Sequence, residues 1–189
     1  MTDSREQFIQ LIKNRSKENS ESLKDDFEKG RIGKCIETIR TELDSFIRVV
    51  YLGRISDIDE RKRLIQLTLS GEKWTELTPK NKLRKVYDKN LIDKAIELEG
   101  YIHYVYKFGC RFIHLSNFHN YKTTNPFNKL NETENSDVKK YLSQYHSYPL
   151  NQELSVENLR DYIPNIFEKI SSNLTCYFDQ ILNDGTIVM

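Results

Sequence analysis

The residues whose side chains are best suited to a chemical reaction lie between His103 and His114. On a helix, which advances about 100° per residue, four polar side chains of this segment fall within one sector of about 60°. These four are His103, Lys107, Cys110 and His114, and Arg111 lies just beyond them. We call these five residues the cationic strip. Because burial of unpaired cations is unfavourable, we expect the strip to face water, acidic side chains or an anionic ligand.

Histidine and arginine together can carry out acid–base chemistry on a phosphate. Because histidine titrates near neutrality, an imidazole can accept a proton from a nucleophile and return one to a leaving oxygen. Arginine keeps its charge and its forked donors, which suit the non-bridging phosphate oxygens. The candidate catalytic residues of such a phosphate or RNA site are Arg111, His114 and His119. The candidate binding residues are His103, Lys107, Ser116 and Asn117.

The alternative is that the cationic strip is the solvated side of a largely buried helix. Its cations would then pair with acidic residues close by in the sequence, Glu97 and Glu99. They could also pair with carboxylates of an earlier helix, such as Glu37 and Asp44. The two interpretations differ in whether the strip's positive charge is left for a ligand.

The sequence predicts neither a metal site nor another cofactor. His103 and His114 are eleven positions apart, and no cluster of acidic or cysteine ligands accompanies them. The three cysteines are far from one another, which is typical of reduced thiols inside a cell. No apolar stretch approaches the roughly 20 residues that cross a bilayer. We therefore expect a cytoplasmic protein with no membrane association.

Helical periodicity predicts the elements that position these residues. The main predicted helices span 4–29, 32–52, 58–69, 91–116 and 164–182. The first of them contains a polar run that could break it. The second has the clearest apolar stripe, with a spacing of three or four residues: Ile32, Ile36, Ile39, Leu43, Phe46 and Val50. The fourth carries the cationic strip, and we expect it to be central and mostly buried.

The remaining segments predict less regular structure. Residues 116–136 are rich in Asn and Thr and predict a long loop. A smaller helix is expected over 137–145, and Ser155 should open another short one. The fold prediction is a single all-α domain over 1–189, a bundle of about five main helices with a short extra helix. Its core comprises about 32–119 together with the C-terminal helix.

The charge is nearly balanced over the whole chain but not locally. Lys and Arg number 29 against 28 Asp and Glu, so nucleic acid could bind only through a local patch. Such a patch exists between Arg61 and Lys94, where the sequence contains ten Lys or Arg residues but only four Asp or Glu residues. This segment is either a solvated connector or a phosphate-facing surface.

Three segments together resemble the HEPN group, the "higher eukaryotes and prokaryotes nucleotide-binding" all-α proteins. They are ETIRTELDSFIRVVYLGRI, IHYVYKFGCRFIHLSNFHNY and YIPNIFEKISSNLTCYF, and the resemblance extends from about residue 32 through the last helix. Members are short helical bundles that are frequently dimeric. Many are metal-independent ribonucleases of toxin–antitoxin, antiviral-defence and CRISPR-linked systems, with an arginine and a histidine four to six residues apart.

The resemblance implies an endoribonuclease or toxin whose Arg111 and His114 or His119 cleave RNA, acting as a homodimer and controlled by an antitoxin or another protein. The spacing differs from the family pattern, since only two residues separate Arg111 from His114. Six residues separate Lys107 from His114, but lysine lacks the bidentate grip of arginine. The alternative is therefore a catalytically inactive HEPN-like module that binds nucleotide, RNA or a protein partner.

Overall fold

The structure is a computed structural model that describes residues 3–78, 80, 82–97, 100–114 and 117–183. The helices of this part of the chain are α1 (Ser4–Glu28), α2 (Ile32–Arg54), α3 (Ile58–Leu69), α4 (Asp88–Ala95), α5 (Ile102–Ile113), α6 (Glu132–His146), α7 (Val156–Leu159), α8 (Ile163–Cys176) and α9 (Phe178–Leu182). The strands are β1 (Thr75–Leu77) and β2 (Leu83–Lys85). The architecture is mostly helical, as predicted, but the all-α prediction missed this two-stranded sheet.

Helix α2 is the centre of the bundle. It packs against α1, α5 and α8, and every residue of its predicted apolar stripe is buried. Its contact with α5 is especially close at Gly109, where a Cβ atom would lie 2.9 Å from the Cβ of Arg40. The absent side chain of Gly109 therefore lets the two helix backbones approach each other.

Helix α1 continues without a break through its polar run. Glu42 of α2 is fully buried opposite this run. Ser16 donates a hydrogen bond to Glu42 Oε1 at 2.5 Å, and Asn19 donates one to Glu42 Oε2 at 2.8 Å. A buried carboxylate needs such donors, so the polar residues satisfy the neighbouring helix instead of ending their own.

The single helix predicted over 91–116 is wrong, because the structure contains two helices there. Helix α4 ends at Ala95 and α5 begins at Ile102. Arg54 stabilises the end of α4, since its Nη1 donates to the carbonyl of Lys94 at 3.0 Å and pairs with Glu97 at 2.6 Å. Gly100, which lies in the linking segment, also disfavours a continuous helix.

The long loop predicted over 116–136 is also incorrect in part. Two 3-10 helical turns span Asn117–Asn120 and Pro126–Lys129. Helix α6 then begins at Glu132, earlier than the predicted start at 137, because Asn131 and Glu134 form a reciprocal capping box. Ser155 caps α7 as predicted, and a further 3-10 turn at Arg160–Tyr162 precedes α8.

The last predicted helix, 164–182, is divided as well. Helix α8 ends at Cys176 and α9 begins at Phe178, with Tyr177 between them. The apolar residues Ile170 and Leu174 of α8 and Ile181 of α9, which recur at helical spacing in the sequence, are nevertheless buried. Periodicity therefore located the buried face correctly but did not reveal the interruption.

The two strands form an antiparallel hairpin that is attached to α3. Glu76 lies opposite Arg84, and the two side chains form an ion pair. Trp74 Nε1 donates to Thr68 Oγ1 at 2.7 Å, and Arg63 Nη1 donates to Thr75 Oγ1 at 3.1 Å. These bonds fix the hairpin against the end of α3, so the segment predicted as a possible connector is an ordered part of the fold.

Candidate functional site: a cationic cleft beside the hairpin

The cationic strip lies on the outer side of α5, and the structure describes only part of it. His103 and His114 are exposed, and Cys110 is half-buried. Lys107 forms an ion pair with Glu134 of α6. The side chains of Arg111 and Asn117 and the whole of Ser116 lie outside the described residues, so their predicted roles stay predictions.

The two histidines proposed for catalysis lie at the same end of α5. His114 follows the last residue of the helix, and His119 belongs to the next 3-10 turn. Both are exposed, and the ring of His119 packs on Phe112 with 6.2 Å between centroids. His103 is eleven positions from His114, or roughly 16 Å along the helix axis, so it cannot join them at a single phosphate.

The internal ion pairs differ from those we predicted for the strip. Glu37 pairs with Lys34, and Glu97 pairs with Arg54. Asp44 pairs with residues other than the strip, and Glu99 lies outside the described residues. Lys107 does pair within the molecule, but its partner is on α6 because that helix begins early enough to bring Glu134 beside it.

A second cationic surface lies on another side of α5 and is formed by several elements. It is a cleft of about 870 Å³ between α2, the end of α3, the hairpin, the start of α4 and one residue of α5. We call it the hairpin cleft. Four cationic, two acidic and three aromatic side chains line it: Arg48, Lys73, Lys85, Lys89, Glu72, Asp88, Trp74, Tyr87 and Tyr106.

The three lysines of the hairpin cleft keep their charge available to a ligand. Lys73, Lys85 and Lys89 are all exposed. None of them forms an ion pair with another residue in the described part of the chain. They come from the start of the hairpin region, from β2 and from the first turn of α4, so the hairpin and α4 bring three charges of one chain segment to the same cleft.

Two arginines share a carboxylate at the edge of the hairpin cleft. Arg40 Nη2 donates to Asp88 Oδ2 at 2.8 Å, and Arg48 Nη2 lies 3.6 Å from Asp88 Oδ1. The Arg40 side chain is only 6% exposed, whereas that of Arg48 is 28% exposed. Asp88 therefore holds a buried guanidinium and a partly accessible one at the same time.

A second carboxylate supports Arg48 from its own helix. Arg48 Nε donates to Asp44 at 3.3 Å, and Arg15 Nη1 donates to the same side chain at 3.1 Å. Burial opposes ionisation of Asp44, but the two guanidinium groups hold its pKa below the usual range. Arg48 therefore stays fixed next to a charged carboxylate when the cleft is empty of other anions.

The aromatic residues of the hairpin cleft differ in accessibility. Trp74 is 2% exposed, and the Arg48 guanidinium lies 5.0 Å from its ring centroid. Tyr106 is half-buried beneath Arg40, which lies 4.3 Å from its ring centroid, and burial raises the pKa of its hydroxyl. Tyr87 is 64% exposed and stands between Lys85 and Lys89 in the sequence. The ring of Tyr87 is thus open for stacking.

Sequence reasoning located this surface only as a local charge excess. Three of the ten cations that it counted serve internal contacts: Arg61 donates to the Ile55 carbonyl, Arg63 pairs with Glu60, and Arg84 pairs with Glu76. The contributions of Arg48 and Tyr106 were missed entirely. The available signal was the sequence KVYDK at 85–89, in which an aromatic residue lies between lysines.

Comparison with known proteins adds no assignment: no family model, curated protein or solved structure matches the chain. Within the described residues, no three His, Cys, Asp or Glu side chains form a group that could hold a metal ion. No helix in the same part of the chain is long and apolar enough to cross a membrane. The functional proposal therefore rests on the geometry of the hairpin cleft and on the resemblance of the sequence to the HEPN group.

Proposed function

We propose that the protein is a HEPN-like module that binds single-stranded RNA in the hairpin cleft. The observation that carries the proposal is the convergence of the exposed ring of Tyr87 with three exposed lysines that form no ion pair within the described residues. Proteins bind single strands by tracking the phosphates with cations while aromatic rings stack on the bases. The choice of RNA over DNA rests on the resemblance to the HEPN group.

The size of the hairpin cleft suits part of a strand. Its volume of about 870 Å³ is within the range of roughly 300–1,000 Å³ that is typical of ligand sites, so it can hold about one or two nucleotides. Two more exposed lysines, Lys80 and Lys82, belong to the same hairpin segment. They extend the positive surface for phosphates outside the cleft.

Fluorescence titration with a short oligouridine tests the binding. Trp74 is the single tryptophan and lines the hairpin cleft, so its emission reports on this site alone. We expect saturable binding and an affinity that falls with salt, with a logarithmic slope near −2 for about three phosphate contacts. Binding that does not change with salt, or no binding at low salt, would contradict the proposal.

A second proposal is that the same protein cleaves RNA without a metal, as a toxin or antiviral-defence component. The exposure of both His114 and His119 at one end of α5 favours it. One imidazole would accept the proton of the ribose 2′-hydroxyl, and the other would protonate the leaving 5′-oxygen. Arg111 would stabilise the charge that develops on the phosphate. Two chains would bring their sites together in a homodimer, and an antitoxin or other protein partner would control them.

Incubation of the protein with total RNA in EDTA separates the two proposals. Cleavage that is lost in both Arg111→Ala and His114→Ala would establish the second proposal. Cleavage that persists in both variants would contradict it. Binding in the hairpin cleft without any cleavage would support the RNA-binding module alone.

A further inference from the structure

Two small apolar cavities lie next to each other inside the bundle, away from the hairpin cleft. The first has a volume of about 90 Å³ and lies between α5 and α6. The second has a volume of about 70 Å³ and lies between α5, α2 and α7–α8. They share four lining residues: Val105, Phe108, Leu159 and Ile166. The two spaces therefore adjoin each other at these side chains.

The walls of the first cavity are almost entirely apolar. Phe108 and Phe127 stack with 4.6 Å between ring centroids at one wall, and Val138 and Leu142 of α6 line another. Protein interiors are normally packed without voids larger than a water molecule. Apolar voids of this kind stay dry, because a water molecule would find no hydrogen-bond partners. Two adjoining voids are therefore space that apolar atoms can fill with a gain in dispersion contacts.

The polar groups of the first cavity lie at its edge and carry little net charge. Lys107 and Glu134 both line it, and they neutralise each other through their ion pair. The other polar side chains of the lining are the exposed His103 and the tyrosines Tyr104 and Tyr141, and none of them is a carboxylate, a lysine or an arginine. An ionic ligand would find no uncompensated opposite charge there, so an uncharged ligand is favoured.

We propose that the two cavities form one binding site for a small uncharged apolar molecule, a monocyclic aromatic or a short branched hydrocarbon. An engineered apolar cavity of about 150 Å³ accepts benzene or xenon, which sets the size of ligand to expect. In this proposal, the Phe108 side chain, which lines both spaces, rotates to join them, and the ligand enters beside the Lys107–Glu134 pair, which lines the first. This site does not depend on the proposed RNA function.

Thermal unfolding of the full chain with benzene tests the proposal. At ten times its dissociation constant, benzene should raise the melting temperature by roughly 3–6 °C. Benzoate and benzylamine, which have the same ring but a charge, should bind at least about tenfold more weakly. An unchanged melting temperature, or equal binding of the charged analogues, would overturn the proposal.

A filled variant locates the binding. Val138→Phe places a ring in the first cavity and should abolish the benzene-induced shift, whereas Leu11→Phe, on the exposed side of α1, should preserve it. If Val138→Phe fails to fold, methyl chemical shifts of Val105 and Ile166 in the unaltered protein give the answer. Changes confined to the shared lining support the site, and changes elsewhere alone refute it.

Discussion

The cationic strip and the hairpin cleft contain similar side chains but use their charge differently. On the strip, Lys107 is neutralised by Glu134, and the histidines are spread along the length of α5. In the hairpin cleft, three lysines remain without an ion pair in the described structure, and Arg48 is the lining cation that pairs with carboxylates there, Asp44 and Asp88. A row of polar residues on one helix face therefore need not form the strongest anion site.

This difference shows how cationic side chains come together at one site. Residues on one helix separate by about 1.5 Å per position, so eleven positions already exceed the reach of one phosphate group. The hairpin cleft instead takes residues from several elements that meet at one place. Sites formed in this way concentrate charge without placing like charges next to each other along a helix, where they repel.

Of all changes in the two surfaces, replacement of the cleft lysines should reduce oligouridine affinity the most. The triple variant Lys73→Ala, Lys85→Ala and Lys89→Ala should weaken oligouridine binding roughly 10- to 100-fold and remove most of its salt dependence. The matched control replaces three exposed lysines elsewhere, Lys17, Lys24 and Lys140. Equal losses in the two triple variants would mean that binding is non-specific attraction to the whole surface.

Removal of the exposed ring should have the next largest effect. Stacking of one base on an aromatic ring contributes about 1–3 kcal/mol, so Tyr87→Ala should weaken oligouridine binding on the order of tenfold. Tyr87→Phe keeps the ring and should bind almost as well as the unaltered protein. The fluorescence titration measures both variants, and a similar loss in both would exclude stacking as the reason.

Asp88→Asn should strengthen oligouridine binding, in contrast to the two preceding changes. The variant frees Arg48 from a competing carboxylate, so affinity for the oligonucleotide should rise a few-fold. It also leaves the buried Arg40 without its charged acceptor, which should lower the free energy of unfolding by roughly 1–3 kcal/mol. Denaturant unfolding and the titration test the two effects separately. Weaker binding at a temperature where the variant is folded would show that Asp88 shapes the cleft.

Changes in the cationic strip should have the smallest effect. The Lys107–Glu134 pair is partly exposed, and such pairs contribute only about 0–1 kcal/mol. Both residues lie outside the hairpin cleft, so Lys107→Met should change oligouridine affinity less than about twofold, and Glu134→Gln should behave in the same way. A loss of tenfold or more in Lys107→Met would reverse the comparison and place the RNA on α5.

Much of the fold was predictable because it follows from short-range periodicity. The apolar stripe of α2 recurs every three or four residues, and this spacing alone located a central helix whose buried face is confirmed. The interruption between α4 and α5 was missed, because Gly100 is a weak signal by itself and the contact of Arg54 of α2 with the end of α4 cannot be read from the sequence. The hairpin was missed because its two strands have only three residues each.

The candidate site, like the fold, was only partly predictable from the sequence. The sequence alone determined that positive charge is concentrated between Arg61 and Lys94, and it predicted that two histidines and two cations share one face of a helix. Only the tertiary structure decided which of these charges are neutralised. Glu134 reaches Lys107 because α6 packs beside α5, and Arg48 meets Asp88 because α2 packs beside α4. Charge is a property of composition, whereas its availability depends on which residues from distant elements fold into contact.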